Sequence, residues 1–189
     1  MHYLAKTASP ENIVTQCLIL GVFDGKQPGS SISQLPAEAK KHIQATLKKG
    51  DLGEKSAQTL MLYHVPAIKA ERVLLLSLGE KRGFDSKKLA SAAAAAISLL
   101  DKNAARDCTL VIPQELQEKS NLYTASRDLV IAAEEQLYLF DQCKSKKQPP
   151  KKPLGKLTLL CRERKQLGTL KKALKHGSAI AAGMSLAKD

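Results

Sequence analysis

Hydrophobic and polar positions follow two periods along this chain, and the clearest join between them lies at Glu71–Leu100, ERVLLLSLGEKRGFDSKKLASAAAAAISLL. The unbroken apolar run Val73–Leu78 predicts a strand covered on both faces. Gly79–Phe84 predicts a tight turn. From Asp85 onward, Leu89, Ala92, Ala93, Ala96, Ile97 and Leu100 recur at i, i+3, i+4, i+7, i+8 and i+11. That spacing is one face of a 3.6-residue helix. Alanine favours the helix and lets it lie close against a sheet. Asp85 is placed to cap it, because its carboxylate can accept from the free amides of the first turn.

The rest of the chain repeats this grammar. His2–Thr7 and Gln16–Phe23 predict the first two strands, the second apolar throughout. Asp24–Pro36 is rich in Gly, Ser and Pro and predicts a loop. A helix is expected over Ala37–Lys49, stopping at Gly50. Gln58–Val65 predicts a third strand closed by Pro66, since proline cannot continue a central ladder. Cys108–Ile112 predicts another strand. Leu122–Phe140 predicts a second amphipathic helix, capped near Ser120 or Asn121, with Leu122, Ala125, Leu129, Ala132, Ala133, Leu137 and Phe140 on its face. Leu157–Cys161 predicts the last strand. A long helix follows from about Glu163, with Leu167, Leu170, Leu174, Gly177, Ala181 and Met184 in one stripe. The expected class is α/β, a mixed sheet sandwiched by helices.

Charge adds a boundary. Residues 144–156, KSKKQPPKKPLGK, fit neither helix nor central strand and predict an extended, solvated connector. Between Lys144 and Lys175 stand ten Lys and two Arg against the single acid Glu163, a net of +11 within a total of +12. The protein is thus nearly neutral with one basic segment. The organisation expected is an α/β domain over 1–162, including the connector, and a helix over 163–189 leading to a further domain. An apolar stripe that runs to the last residues predicts that the natural chain continues. Without its partner domain, such a stripe is expected to be disordered or to pack on a neighbouring copy.

Composition narrows the function classes. The chain has 189 residues, 43% of them hydrophobic, but only 4% aromatic and no Trp. Base-stacking platforms of the RNA-binding kind are therefore disfavoured. Cys17, Cys108, Cys143 and Cys161 show no CxxC spacing, and three of them lie in apolar runs. They read as buried free thiols in a reducing cytoplasm. The N-terminus lacks the basic and apolar regions of a signal peptide. Leu89–Leu100 is shorter than the ~20 apolar residues a membrane span needs.

Candidate chemistry is sparse. The turn GEKRG at Gly79–Gly83 has the wrong glycine spacing for a P-loop and lacks GxGxxG. Asp85 beside it would repel an anion, so a plain strand-to-helix turn is the simpler reading of this corner than a nucleotide site. His2, His42, His64 and His176 share no metal-like spacing, and His64 reads as a core or edge residue of a strand. No GxSxG elbow is present. Asp101, Asp107 and Asp128 could meet only through the tertiary fold. Lys144, Lys146, Lys147, Lys151 and Lys152 could contact nucleic-acid phosphates, against the simpler reading of a solvated linker.

Three segments carry a family resemblance. RVLLLSLGEKRGFDSKKLASAAAAAISLL resembles a strand–turn–helix in the N-terminal domain of the leucyl aminopeptidases, the cytosol aminopeptidase family. EEQLYLFDQCKSKK, from Glu134, is similar to the helix end that precedes that family's basic linker. HGSAIAAGMSLAKD is similar to the helix that leaves its small domain for the catalytic one. The match is closest to bacterial members. The resemblance implies a macro-domain-like α/β fold, and a parent enzyme that removes N-terminal residues from peptides as a homo-hexamer. It further implies two divalent metals, manganese, zinc or magnesium, held with the catalytic residues in a C-terminal domain. No catalytic, metal or cofactor-binding residue carries over to any position here, and this chain alone is expected to be inactive. The implied partners are its own catalytic domain and the other subunits. Some bacterial relatives bind DNA, which keeps a DNA-binding role for the 144–175 segment as the alternative. A macro-like nucleotide-binding role for the Gly79–Asp85 corner is a further one.

Overall fold

Each apolar run becomes a strand of one sheet. The computed structural model describes residues 1–103, 105–119, 122–138 and 154–187. In it β1 (His2–Thr7), β7 (Lys156–Cys161), β6 (Asp107–Val111), β2 (Leu18–Phe23), β5 (Arg72–Ser77) and β4 (Thr59–Tyr63) lie side by side in that order. The first five run parallel, and β4 is antiparallel to β5. The two-residue β3 (Gln27–Pro28) pairs antiparallel with β2.

Parallel strands need cover on both faces, and helices supply it. On one face lie α3 (Ser86–Lys102), α5 (Leu122–Leu137) and α6 (Leu167–Leu186); on the other, α1 (Ser30–Ser33) and α2 (Ala37–Lys48). Successive side chains of a strand point to opposite faces. In β2, Ile19 and Phe23 accordingly join the α3/α5/α6 core, while Leu18, Leu20 and Val22 join the α2 core with Ile32, Ala39, Ile43 and Leu47. β5 splits the same way, Leu74 and Leu76 to one side and Val73 and Leu75 to the other. A short α4 (Gln114–Lys119) follows β6.

The alanine helix behaves as its pattern predicts. Leu89, Ala92, Ala93, Ala96, Ile97 and Leu100 are all buried. Asp85 is extended and accepts from Lys88 N at 2.9 Å, closing the first turn. The bounds of α2 and of all six longer strands also lie within a residue or two of expectation. Three short elements inside the Gly/Ser/Pro-rich stretch and after Pro113, namely β3, α1 and α4, have too few residues for a periodic signal. His64 departs from expectation: it lies just beyond β4, exposed, with φ of 55°. The strand has turned away before reaching it.

The last helix departs further. It begins at Leu167, after a short 3₁₀ turn over Arg164–Gln166 held by a capping box between Glu163 and Gln166. Leu170, Ala173, Leu174, Gly177 and Ala181 are buried in this chain's own fold, so this half of the stripe needs neither disorder nor a second copy. Gly177 is the contact point. A Cβ there would stand 2.8 Å from both Arg127 O and Val130 Cβ of α5. The same crossing explains why Ser126 and Val130 are buried on α5 beyond the expected face: that helix is sandwiched between α3 and α6. Beyond Ala181 the cover ends, and Leu186 is 76% exposed. β1 is tied to α5 by Glu134, which accepts from the Met1 ammonium at 3.2 Å and the Tyr3 hydroxyl at 2.8 Å. Phe140, the cap near Ser120 and Asn121, Cys143 and residues 144–153 of the 144–156 connector lie outside the described residues.

Cys17, Cys108 and Cys161 are buried free thiols. Burial pushes the Cys17 thiol up to about 12 and raises Cys108 as well.

Four outcomes test this packing. Gly177→Val is expected to lower stability by about 1–3 kcal/mol in urea unfolding, because the added atoms meet backbone and a β-branched neighbour. Gly183→Ala, where a Cβ meets nothing within 4 Å, should raise it by up to about 1 kcal/mol. Asp85→Ala should cost about 1 kcal/mol through loss of the cap. Above the ordinary thiol value of 9.0, the unfolded chain loses the Cys17 proton while the folded chain keeps it until about 12. Stability should therefore fall as pH rises across that window, and Cys17→Ala should flatten the fall when urea midpoints are compared between neutral and alkaline buffer.

Candidate functional site

In a parallel α/β sheet, ligands lie outside the carboxyl ends of the strands. That edge gathers the turn after β5, the start of α1, the start of α4, and the segments leaving β1 and β7.

The Gly79–Asp85 corner is a packed turn. Gly79 and Gly83 have φ of 74° and 81°, the left-handed conformation that glycine adopts without strain. Asp24 N donates to Gly79 O at 3.0 Å and Leu78 N to Val22 O at 2.8 Å, which fixes the turn to β2. Phe84 is buried edge-on against Phe23, with ring centroids 5.1 Å apart. Lys81 lies over the Phe23 ring, 5.8 Å from its centroid, and 3.7 Å from the Glu115 carboxylate.

The helix starts at this edge hold the chain's own carboxylates. Asp85 caps α3. Glu115 of α4 reaches across to α1, accepting from Ser30 N at 3.1 Å and from Ser30 Oγ at 2.6 Å. Ser30 Oγ in turn accepts from Gln114 N at 2.8 Å. The amide and cation that would attract a phosphate are engaged internally by a group of the same sign.

Beside this cluster a cleft of about 550 Å³ opens at the ends of β1 and β7, lined by the 7–11 segment, Gln34 and Arg162. A separate void of only about 10 Å³ lies next to it, lined by Val111, Ile112 and Leu160 among others. The Glu11 Oε2 atom is buried and has no hydrogen-bond partner among the described residues. Arg162 is exposed.

The remaining candidates are dispersed. His2, His42, His64 and His176 are exposed on different elements, and His176 Nδ1 lies 2.6 Å from the Tyr123 hydroxyl. Asp101 accepts from Leu154 N at 3.1 Å, Asp107 accepts from Thr15 Oγ1 at 2.7 Å, and Asp128 pairs with Arg127. Each serves its own local joint. Among the described residues, no three His, Cys, Asp or Glu side chains gather as a metal site requires. The described residues therefore do not fit a metal. Lys144, Lys146, Lys147, Lys151 and Lys152 lie outside the described residues. The Glu115–Ser30 pair and the Glu11/Arg162 cleft had no sequence signal, because their members are separated by 85 positions in the first case and stand on opposite chain ends in the second. No helix among the described residues is long and apolar enough to cross a membrane.

Comparison with solved structures supports the architecture. The fold is similar to a Trypanosoma brucei macrodomain in complex with ADP-ribose, at 12% identity, 92% of this chain, 69% of that chain and a TM-score of 0.67. It is equally similar to a mutant of tomato leucine aminopeptidase, at 16% identity, 97% of this chain, 36% of that chain and a TM-score of 0.67. The bottromycin maturation enzyme BotP in complex with Mn matches at 17% identity over 93% of this chain and 31% of that chain, with a TM-score of 0.61. The chain thus spans about a third of the two enzymes. The fold is thus macro-domain-like mixed α/β, and this chain carries a long C-terminal helix, α6. The family model of the cytosol aminopeptidase family, N-terminal domain, matches residues 19–147, more than half of the chain. The chain belongs to the cytosol aminopeptidase family, as its N-terminal domain.

Proposed function

We propose that this chain is the non-catalytic N-terminal domain of a di-metal leucyl aminopeptidase that removes N-terminal amino acids from peptides. The observation that carries this reading is the family match over residues 19–147, on a chain whose likeness to the tomato enzyme takes in 97% of its own length but only 36% of that enzyme's. In this proposal two divalent metals, manganese, zinc or magnesium, and the catalytic side chains belong to a following domain. Residues 163–189 lead to it. Exposed Ile180 and Leu186 near the end of α6 support that reading, since they are apolar surface a neighbouring domain would cover. The domain's role is hexamer architecture and control of access to the active sites, and the protein resides in the cytoplasm.

A second reading, a DNA-binding accessory module, is favoured by the exposure of Arg162, Arg164, Lys171, Lys172 and Lys175, which lie in the basic 144–175 segment. In this reading Lys144, Lys146, Lys147, Lys151 and Lys152 contact phosphates.

The first reading is checked with leucyl-p-nitroanilide and added manganese or zinc. The 189-residue chain is expected to release no nitroaniline, while the product of the longer coding sequence does; turnover by the short chain alone would sink the proposal. The second is checked by titrating duplex DNA at several salt concentrations. Neutralising Lys146, Lys147, Lys151 and Lys152 together should lower the slope of log affinity against log salt by about 3–4. An unchanged slope, or no binding at low salt, rules out phosphate contact by the connector.

A further inference from the structure

Strand β1 ends the sheet, and among the described residues no strand lies beside its outer edge. His2 N donates to Gly155 O at 2.8 Å, and Lys6 O lies 3.5 Å from the Cys161 thiol on β7. The main-chain groups of His2, Leu4 and Lys6 therefore turn towards β7, and by alternation those of Tyr3 and Ala5 point out of the sheet. A groove of about 360 Å³ runs along this edge, walled by residues 1–5 and by Lys171, Leu174 and Lys175 of α6. Side chains from both faces of β1 line it, which places it beside the strand rather than over either face.

The groove carries charge of one sign. Lys171 and Lys175 are exposed, as is Lys6 further along the strand, and none of the three forms an ion pair among the described residues. Glu134, the acid near its start, is already engaged by the Met1 ammonium and the Tyr3 hydroxyl. Leu4, 41% exposed, and Leu174 add apolar wall. Outward amides and carbonyls on a sheet edge are a template for another strand. A second copy of β1 is a poor occupant, because the lysines of the two copies would face their like. Nucleic acid fits less well too: phosphate oxygens accept from lysine but donate nothing to the Tyr3 and Ala5 carbonyls.

We propose that β1 takes an acidic, extended segment of a partner protein as an added strand. Its backbone pairs with Tyr3 and Ala5, its carboxylates on one face meet Lys171 and Lys175, and an aliphatic side chain on the other lies against Leu4. The surface docks a partner and cleaves nothing. It uses only β1 and α6, so it does not rest on the aminopeptidase reading.

The probe is a short peptide of alternating glutamate and valine, acetylated and amidated so that it offers no free N-terminus. Its lysine counterpart and a duplex DNA oligonucleotide are the comparisons. Titrated into isotopically labelled 189-residue protein, the acidic peptide should give saturable shifts over residues 2–7. It should also slow hydrogen exchange of the Tyr3 and Ala5 amides, which are open in the free protein. The lysine peptide should bind at least about tenfold more weakly. Lys171→Glu combined with Lys175→Glu, both at exposed helix positions, should reverse that preference while the urea midpoint stays within experimental error. Methylating the amide of every valine, or in a second peptide of every glutamate, should weaken one of the two by about tenfold, because it removes the donors of the new ladder. No saturable binding of the acidic peptide overturns the proposal, as does binding that leaves Tyr3 and Ala5 unprotected, or tighter binding of the DNA. Protection of both amides in the free protein overturns it as well, since the edge is then already taken. These last comparisons need no variant to fold.

Discussion

Burial of β2 on both faces is the constraint on which the structure depends. Leu18, Ile19, Leu20, Val22 and Phe23 are each no more than 1% exposed. A central parallel strand has side chains on two faces and paired amides on two edges, so it can exist only when helices cover both sides and strands flank it. The α3/α5/α6 layer and the α1/α2 layer meet that demand. The two apolar clusters are the two faces of one sheet, and the β5–β6 and β6–β7 connections are long because they carry α3 and α5 of one covering layer.

The helix layer then decides what the carboxyl edge can offer. Close packing of α3 through alanine sets the Gly79–Asp85 turn tightly against β2, with Phe84 inserted beside Phe23. That leaves little open space where a macro-domain-like fold would be searched first for a ligand. The helix starts are satisfied by Asp85 and Glu115, which are attached to the chain and are therefore always present. Open volume remains further along the edge, where β1 and β7 end. Mixed charge there distinguishes the cleft from an anion site.

The α6 helix links this domain to the proposed architecture. Its first half belongs to the core through Leu170, Leu174 and the Gly177 crossing on α5. Its second half leaves apolar side chains at the surface. A helix built rigidly into one domain at one end and offering apolar surface at the other is suited to transmit the position of that domain to whatever packs against it. This accords with membership in the cytosol aminopeptidase family and with the proposal that the chemistry lies in a separate domain.

The elements with long periodic patterns were legible from the chain alone. The run Val73–Leu78, the Leu89–Leu100 face and the Asp85 cap rest on local physics, which is the same in any context: side-chain periodicity, alanine propensity, and the first-turn amides. The family could be read from such stretches too, because their order along the chain is itself a pattern. Short elements such as α1 and α4 have too few residues to show a period, and His64 left its strand because the backbone turned at a point no propensity marks. Only the tertiary structure decided the rest. It placed Glu115 on Ser30, Gly177 on Val130, and Glu11 in one cleft with Arg162, since these pairs are distant in sequence and meet only when strand order brings their ends together. Periodicity determines which residues must be buried; sheet order determines which of the remaining ones become neighbours.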